Sequence, residues 1–133
     1  MAYLKPPWLT AKVFNRLAMA TGVSHTVVLT VTGRRTRYPQ RVPVIPVDVD
    51  GATYLVSTRG ESQWVRNARA RATVTLTRDG RQSRHTAVEI AAAERPPIIE
   101  AYRAAAGRAV EAYFRRLPDP ADHPVFRLDP ADR

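Results

Sequence analysis

Hydrophobic and polar positions alternate along residues 25–32, where Val27, Leu29 and Val31 point one way and threonines fill most positions between them. A period of two residues is typical of a β-strand with one buried face. Further β-like runs cover residues 41–49, 52–58, 72–78, 81–90 and 125–128. Asp-Gly dipeptides at 50–51 and 79–80 separate consecutive runs, and this dipeptide favours the tight turn of a β-hairpin. The pattern therefore predicts sequential antiparallel strands.

Three other segments have the spacing of an amphipathic helix: residues 9–21, 61–70 and 97–117. The first follows two prolines, which a first helical turn tolerates, and the last ends at Pro118. Pro43 and Pro46 interrupt the run 41–49, and their missing N–H groups indicate an edge strand, a bulge or a kink. The predicted buried face of the last helix comprises Ile98, Tyr102, Ala105, Ala109, Tyr113 and Leu117.

The predicted order is helix, three strands, short helix, two strands, long helix and short strand. Sequential hairpins with a helix between them favour an antiparallel sheet that curls into a small barrel, an α+β arrangement, over the strict alternation of a parallel sheet. A chain of 133 residues has the size of one ordinary domain. We therefore expect a single domain over residues 1–133, with an N-terminal helix at about 9–21 and the barrel at about 25–128.

Arginine is concentrated in the middle of the chain. Residues 34–84 contain 11 of the 19 arginines but only four carboxylates, which places +7 of the net charge of +9 in this stretch. Guanidinium groups pair bidentately with phosphate or carboxylate, so the expected partner is acidic: a multiply charged small molecule, nucleic acid or an anionic membrane surface. Nucleic acid is disfavoured, because the chain lacks a helix-turn-helix or aromatic-basic RNA motif and its basic residues lie on predicted turns.

Other chemistry is sparse. The absence of cysteine excludes disulfides, thiolate metal sites and cysteine nucleophiles. The three histidines lack metal-ligand spacing, no serine lies in a GxSxG motif, and Glu89 and Glu94 are interpreted as a strand-exterior and a loop charge. No apolar run approaches the roughly 20 residues that span a bilayer. We expect a cytoplasmic protein without a metal or stable membrane insertion, and a bound cofactor if it is an enzyme.

Two segments are candidate anion sites. In residues 32–41, Gly33 permits a tight turn around Arg34, Arg35, Thr36 and Arg41; the alternative is a solvated surface turn. In residues 57–60, a strand end leads through glycine into a predicted helix, whose first N–H groups and dipole suit a phosphate. An ordinary strand-to-helix connection is the alternative for this second segment.

Aromatic side chains provide candidate walls for a planar ligand. Trp64, on the predicted short helix, either walls such a ligand or packs in the core. Tyr102 and Tyr113, with Phe114, either line a substrate pocket or pack against the barrel.

Five short segments of the chain carry a family resemblance: 30–36 (TVTGRRT), 41–43 (RVP), 57–60 (STRG), 64–70 (WVRNARA) and 123–128 (HPVFRL). Together they resemble the deazaflavin-dependent nitroreductase family of actinobacteria, with TGRRT and WVRN as the most specific pair. The resemblance implies a split β-barrel that binds the deazaflavin coenzyme F-420. It also implies an oxidoreductase that transfers a hydride from the reduced coenzyme to an electron-poor enone, quinone or nitro compound. Such barrels are often dimers, so a homodimer is a possible assembly.

The resemblance also implies roles for individual residues, although it assigns no catalytic residue. The cofactor phosphate or acidic tail would meet Arg34, Arg35 and Thr36, with Arg41 nearby. Contacts with the ring edge or phosphate would come from Ser57, Thr58 and Arg59. The ring system would lie beside Pro43 and Val44, and Trp64 would close the cofactor side. Two alternatives remain: an FMN-binding split-barrel oxidoreductase, and a non-catalytic carrier of F-420 or lipid.

Overall fold

The structure of the protein is a computed structural model that describes residues 27–131. The predicted N-terminal helix at 9–21 lies outside the described residues.

The described residues form one antiparallel sheet of seven strands in the order β2-β1-β5-β6-β7-β4-β3. Its two edge strands are neighbours in the chain, because only Ile45 and Pro46 separate the end of β2 from the start of β3. The three backbone steps from Val44 to Val47 span at most about 11 Å, so the sheet must curl until its edges approach each other. This arrangement confirms the predicted α+β split barrel. The strands are β1 Val27–Thr32, β2 Pro39–Val44, β3 Val47–Val49, β4 Ala52–Val56, β5 Thr73–Arg78, β6 Arg81–Glu89 and β7 Val125–Pro130.

The two prolines in the second predicted run lie where a missing N–H does least harm. Pro43 is in β2, an edge of the sheet, and Pro46 lies in the kink between β2 and β3. The predicted run 41–49 is therefore two strands, not one, and its first strand begins two residues earlier. The edge and kink interpretation of these prolines is confirmed.

Both predicted Asp-Gly hairpins are present. Asp50 and Gly51 join β3 to β4, and Asp79 and Gly80 join β5 to β6. All four residues have positive φ, between 50° and 82°, as a type I′ turn requires. The alternation in β1 is also confirmed, since Val27, Leu29 and Val31 are buried and the residues between them are half-buried.

Three α-helices and two short 3-10 helices complete the described fold: α1 Gln63–Ala70, α2 Arg95–Ala106, α3 Arg108–Arg116, and the 3-10 helices Ala92–Glu94 and Pro120–Asp122. The prediction of one continuous helix over 97–117 was wrong. Gly107 combines a φ of 68° with a ψ of −146°, a conformation that essentially only glycine adopts, and so divides the segment.

The buried stripe of the divided helix also differs from the prediction. Ala106, Val110 and Phe114 are buried, whereas the predicted Ala105 is exposed. From Ile98 to Phe114 a buried residue recurs at every fourth position, with Ile99 buried beside the first, so the stripe starts as predicted and then departs by one residue.

Two hydrophobic clusters lie on opposite faces of the sheet. The first packs α1 against β1, β2, β4, β5, β6 and β7, and the second packs α2 and α3 against β3, β4 and β7. Successive residues of β7 alternate between the two faces, so Phe126 belongs to the first cluster and Val125 to the second. The loop between β4 and α1 connects Val56 of the second cluster to Trp64 of the first.

Candidate functional site

The arginine-rich turn of residues 33–38 is closed by its own hydrogen bonds. The Gly33 N–H donates to the Tyr38 carbonyl at 2.8 Å, and the Arg37 N–H donates to the Gly33 carbonyl at 3.0 Å. The Thr36 hydroxyl oxygen accepts from the Tyr38 N–H at 3.1 Å. A Cβ at Gly33 would lie 2.6 Å from that hydroxyl oxygen and 3.0 Å from the Tyr38 carbonyl oxygen. Only glycine fits there without opening the turn.

Asn67 on α1 fastens this turn to the helix. Its side-chain oxygen accepts from the Arg34 N–H at 3.0 Å and from Arg34 Nη1 at 2.8 Å. Its side-chain nitrogen donates to Gln40 Oε1 at 2.7 Å, and the residue is only 5% exposed. Both ends of the turn are thus held by one buried amide, and the guanidinium of Arg34 is partly committed to that contact.

The other arginines of this segment point outward. Arg35, Arg37 and Arg41 are exposed, and within residues 27–131 none of them pairs with a carboxylate. Tyr38 between them is 76% exposed. The turn therefore presents several uncompensated positive charges to solvent at fixed backbone positions.

The loop of residues 57–62, between β4 and α1, called here the buried loop, is by contrast internally bonded and buried except at Thr58 and Arg59, which are half-buried. The Ser57 hydroxyl donates to the Gly60 carbonyl at 2.6 Å, and the Ser57 N–H donates to the Pro124 carbonyl at 2.9 Å. The Ser57 carbonyl lies 2.8 Å from Nδ1 of the fully buried His123. The polar groups of Ser57 are thus used within the fold.

Arg59 is the exception in that loop. Its Nη1 is buried and has no hydrogen-bond acceptor among the residues described. A buried donor left unsatisfied costs about 1–3 kcal/mol, so an oxyanion at this position would be strongly favoured. The loop leads directly into α1, which begins at Gln63 with no side-chain cap, so the first-turn N–H groups of the helix also lack a side-chain acceptor. The donors here fit a phosphate.

Trp64, in the first turn of α1, packs into the first hydrophobic cluster. It is 7% exposed, and its ring centroid lies 5.6 Å from that of Phe126 with the planes tilted by 52°. Val44 belongs to the same cluster, and Pro43 is half-buried beside it in β2. The indole therefore packs in the core, and a second role as a wall for the cofactor stays a prediction.

The two candidate substrate tyrosines belong to the second cluster. Tyr102 is buried with its ring 6.3 Å from Phe114, whereas Tyr113 is half-buried at the edge of the cluster. Burial raises the pKa of the Tyr102 phenol; Tyr113 adds to the shift and Arg59 opposes it. The phenol therefore stays protonated at neutral pH, and its electrostatic neighbours include both Tyr113 and Arg59.

An ion-pair network that the sequence did not reveal supports the buried loop. Arg69 on α1 pairs with Glu61 and with Glu89 of β6, and Arg95 at the start of α2 pairs with Glu89 at 3.2 Å. Glu89 lies in β6, as expected, but the sequence did not indicate that its carboxylate pairs with two arginines. The hydrogen bond from Arg69 lowers the pKa of the Glu61 carboxyl, with burial acting against it. The partners are 8 and 20 residues apart, so no local spacing rule would have paired them.

The described residues form neither a membrane-spanning helix nor a metal-binding group. No helix within residues 27–131 is long and apolar enough to cross a membrane. In the same part of the chain, no group of three or more histidine or acidic side chains is placed to hold a metal ion.

Solved structures with similar folds include three that cover most of both chains. The F420-H2 dependent reductase FDR-A is 23% identical with a TM-score of 0.60, over 79% of this chain and 94% of that one. A domain-swapped dimer is 23% identical with a TM-score of 0.56, over 92% and 97%. The heme storage protein HutZ from Vibrio cholerae is 11% identical with a TM-score of 0.55, over 98% and 93%. At these identities the likeness shows the fold alone.

Sequence comparisons identify the family. Comparison with curated proteins found no match. The model of the F420H2-dependent quinone reductase family matches residues 10–116, most of the chain. The chain therefore belongs to the F420H2-dependent quinone reductase family and is an F-420-dependent oxidoreductase.

Proposed function

We propose that this oxidoreductase binds reduced coenzyme F-420 through the arginines of residues 33–41 and of the buried loop, and delivers a hydride to a quinone. The observation that carries the proposal is the buried Arg59 Nη1, which has no acceptor within residues 27–131 and lies in the loop that leads into α1. When bound, the reduced deazaflavin ring supplies the hydride. The chain's own residues bind, orient and shield it.

The two cationic segments suit different parts of the coenzyme. F-420 carries a phosphodiester followed by a polyglutamate tail, as the family resemblance implies. Arg59, with Thr58 beside it, would hold the phosphate or the ring edge, whereas Ser57 uses its polar groups within the fold and would shape the loop. Arg35 and Arg41, with Thr36 and the outer part of Arg34, would meet the more flexible tail in solvent. A charge-assisted hydrogen bond contributes about 1.5–3 kcal/mol when it is shielded, and less in solvent.

The flat ring of the coenzyme requires an apolar surface. The ring would lie beside Val44 and Trp64, which belong to the first cluster, and beside Pro43, which is half-buried and alternates to the other face of β2. Tyr113, whose ring is only half-buried, is the better candidate of the two tyrosines for touching the substrate, with Tyr102 behind it. Holding the ring and the substrate in contact is the main task for the protein, because hydride transfer depends chiefly on proximity and alignment.

The proposed acceptor is a quinone because of the family description; enones and nitro compounds are the alternatives. A quinone accepts the hydride at one end of its conjugated system, and a proton from solvent or from a nearby tyrosine completes the hydroquinone. No acidic dyad or metal is required for this reaction.

Turnover tests the reaction. Purified protein is mixed with reduced F-420 and, in turn, a soluble quinone, an enone and a nitroaromatic, and the return of the oxidised coenzyme's absorbance is followed. The proposal expects the quinone to be reduced fastest. Tight binding of F-420 with no turnover of any acceptor would contradict it and favour a carrier of the coenzyme.

Assembly and setting are also part of the proposal. We propose a single-domain protein that acts in the cytoplasm as a homodimer, with support from the domain-swapped dimer among the similar structures. Size-exclusion chromatography with light scattering, run with and without F-420, measures the molar mass of the protein in solution. A monomer under both conditions would exclude the dimer without affecting the proposed chemistry.

A further inference from the structure

Side chains around the buried loop form a closed series of polar contacts, called here the polar circuit, which begins and ends on that loop. Arg69 donates to Glu61 in the loop and, at 2.7 Å, to Glu89 on β6. Arg95 donates to the same Glu89 at 3.2 Å. The circuit then returns through the segment that precedes β7.

The return half of the circuit uses backbone carbonyls. Arg95 Nη1 donates to the Ala121 carbonyl at 3.0 Å and lies 3.5 Å from the His123 carbonyl oxygen. The His123 ring stacks on Phe114, with centroids 4.3 Å apart, and its Nδ1 lies 2.8 Å from the Ser57 carbonyl oxygen. Both ends of the loop, Ser57 and Glu61, are therefore held from the same set of side chains.

The circuit balances its own ionic charges and leaves one cation of the loop outside. Two glutamates, Glu61 and Glu89, face two arginines, Arg69 and Arg95. Arg59 takes no part in these ion pairs, although its Cα is at most about 7 Å from that of Glu61, two residues away. A carboxylate so near in sequence is the natural competitor for any anion that approaches Arg59.

The hydrogen bonds of Glu61 fix the direction of its carboxylate. Both of its oxygens accept from Arg69, so the carboxylate is turned toward α1. This hydrogen bonding is the main cause that lowers the pKa of Glu61, with smaller contributions from Arg66 and Arg95. Among residues 27–131 no ion pair joins Glu61 to Arg59.

We propose that Arg69 is a positioning residue for the coenzyme site: it holds the Glu61 carboxylate against α1 and so keeps Arg59 unpaired for an anion. The inference rests on the proposed role of Arg59. Among residues 27–131, the hydrogen bonds of the Arg69 guanidinium go to the two glutamates and to no other residue of the loop that holds Arg59. Its effect on the coenzyme would therefore pass through Glu61.

The test compares the Kd of F-420 for wild type, Arg69→Met, Glu61→Gln and the double variant. Arg69→Met releases the Glu61 carboxylate toward Arg59, so the Kd is expected to rise about tenfold, as for a close competing charge at a partly screened site. In the double variant the neutral amide competes weakly, so the Kd should return to within about threefold of wild type. Glu61→Gln alone should bind at least as tightly as wild type.

Arg71→Met is the matched control, because Arg71 is exposed at the end of the same helix and its loss changes the net charge equally. If Arg69→Met fails to fold, Arg69→Lys replaces it, since one ammonium does not bridge two carboxylates as the guanidinium does. In the Arg69→Lys protein the Kd of F-420 should rise less than in Arg69→Met, and adding Glu61→Gln should again return it toward the wild-type value.

A purely structural role for Arg69 predicts the opposite pattern. The double variant would then bind no better than Arg69→Met, and that result would overturn the inference. An Arg69→Met protein that binds F-420 as tightly as Arg71→Met would also overturn it, while leaving the proposed function standing. Failure of the wild-type protein to bind F-420 would overturn both.

Discussion

The arginine-rich turn and the buried loop present positive charge in two different ways. The turn exposes Arg35, Arg37 and Arg41 to solvent on a backbone fixed by Asn67, whereas the loop uses its polar groups internally and leaves one buried guanidinium nitrogen without an acceptor in the described structure. Exposed charges act at longer range and are screened by salt, while a desolvated donor acts at short range and is screened little. The turn is suited to attracting an anion, and the loop to fixing it.

The largest expected effect concerns the helix that joins the two regions. Replacing Trp64 by alanine removes a core indole that packs on Phe126, which typically costs about 3–5 kcal/mol of the free energy of unfolding. Urea unfolding measures the loss. A protein of unchanged stability that no longer binds F-420 would show instead that the indole acts as a wall of the site.

Arg59→Met should produce the largest loss of affinity without loss of stability. The variant removes a shielded, charge-assisted contact of about 1.5–3 kcal/mol, a rise of roughly ten- to a hundredfold in the Kd of F-420. The melting temperature should not fall, because the lost Nη1 has no partner among residues 27–131. Calorimetric titration beside Arg71→Met gives the comparison, and equal affinities for the two variants would remove Arg59 from the site.

Asn67→Ala tests whether the turn depends on the helix. The substitution leaves the Arg34 N–H and the Gln40 side chain without their amide partner, which should reduce the free energy of unfolding by about 1–3 kcal/mol. Affinity for F-420 should fall less steeply than in Arg59→Met, because the buried loop stays in place. If the turn kept its hydrogen-exchange protection in this variant, the fastening role of Asn67 would be wrong.

Arg35→Met should have a smaller effect that depends on salt. An exposed charge contributes up to about 1 kcal/mol, so the Kd should rise at most about fivefold at low salt and converge on the wild-type value as salt increases. Binding isotherms at several salt concentrations distinguish the two regions. A salt-independent loss as large as that of Arg59→Met would mean that the turn is desolvated in the complex.

The smallest effect is on the pH dependence of stability. Because Arg69 lowers the folded pKa of Glu61 below 4.5, the ionised carboxylate stabilises the fold at pH values above the unfolded pKa. That contribution is lost as the pH falls through the folded pKa. Glu61→Gln lacks this titration, so its stability should vary less than that of wild type between about pH 5 and pH 3. If the free energy of unfolding fell equally in the two proteins between about pH 5 and pH 3, the ion pair would contribute nothing to stability.

Local patterns predicted much of the fold and fewer of its contacts. The alternation of β1, the two Asp-Gly hairpins and the kink at Pro46 depend on neighbouring residues, so the sequence alone predicts them. Gly107 was missed as the break between α2 and α3, because a glycine inside a helical pattern is usually tolerated and only its left-handed φ of 68° divides the segment.

The site divides in the same way. The resemblance paired TGRRT with WVRN, but only the structure gives a physical reason, the Asn67 amide that bonds Arg34 across 33 positions. The pairing of Arg69 with Glu61 and Glu89 depends on the registers of α1 and β6, which periodicity does not supply. The sequence alone could name the arginines as candidate anion-binding residues. It could not show that the side chains of Asn67, Glu61 and Glu89 bond to arginines of this region.

A comparison of two affinities tests the central claim most directly: wild-type protein is titrated with F-420 and, separately, with FMN in the same buffer and salt. The account predicts saturable binding of F-420 that is tighter than that of FMN, because Arg59 meets a phosphate while the outward arginines meet a polyanionic tail that FMN lacks. Equal or preferential binding of FMN would contradict it.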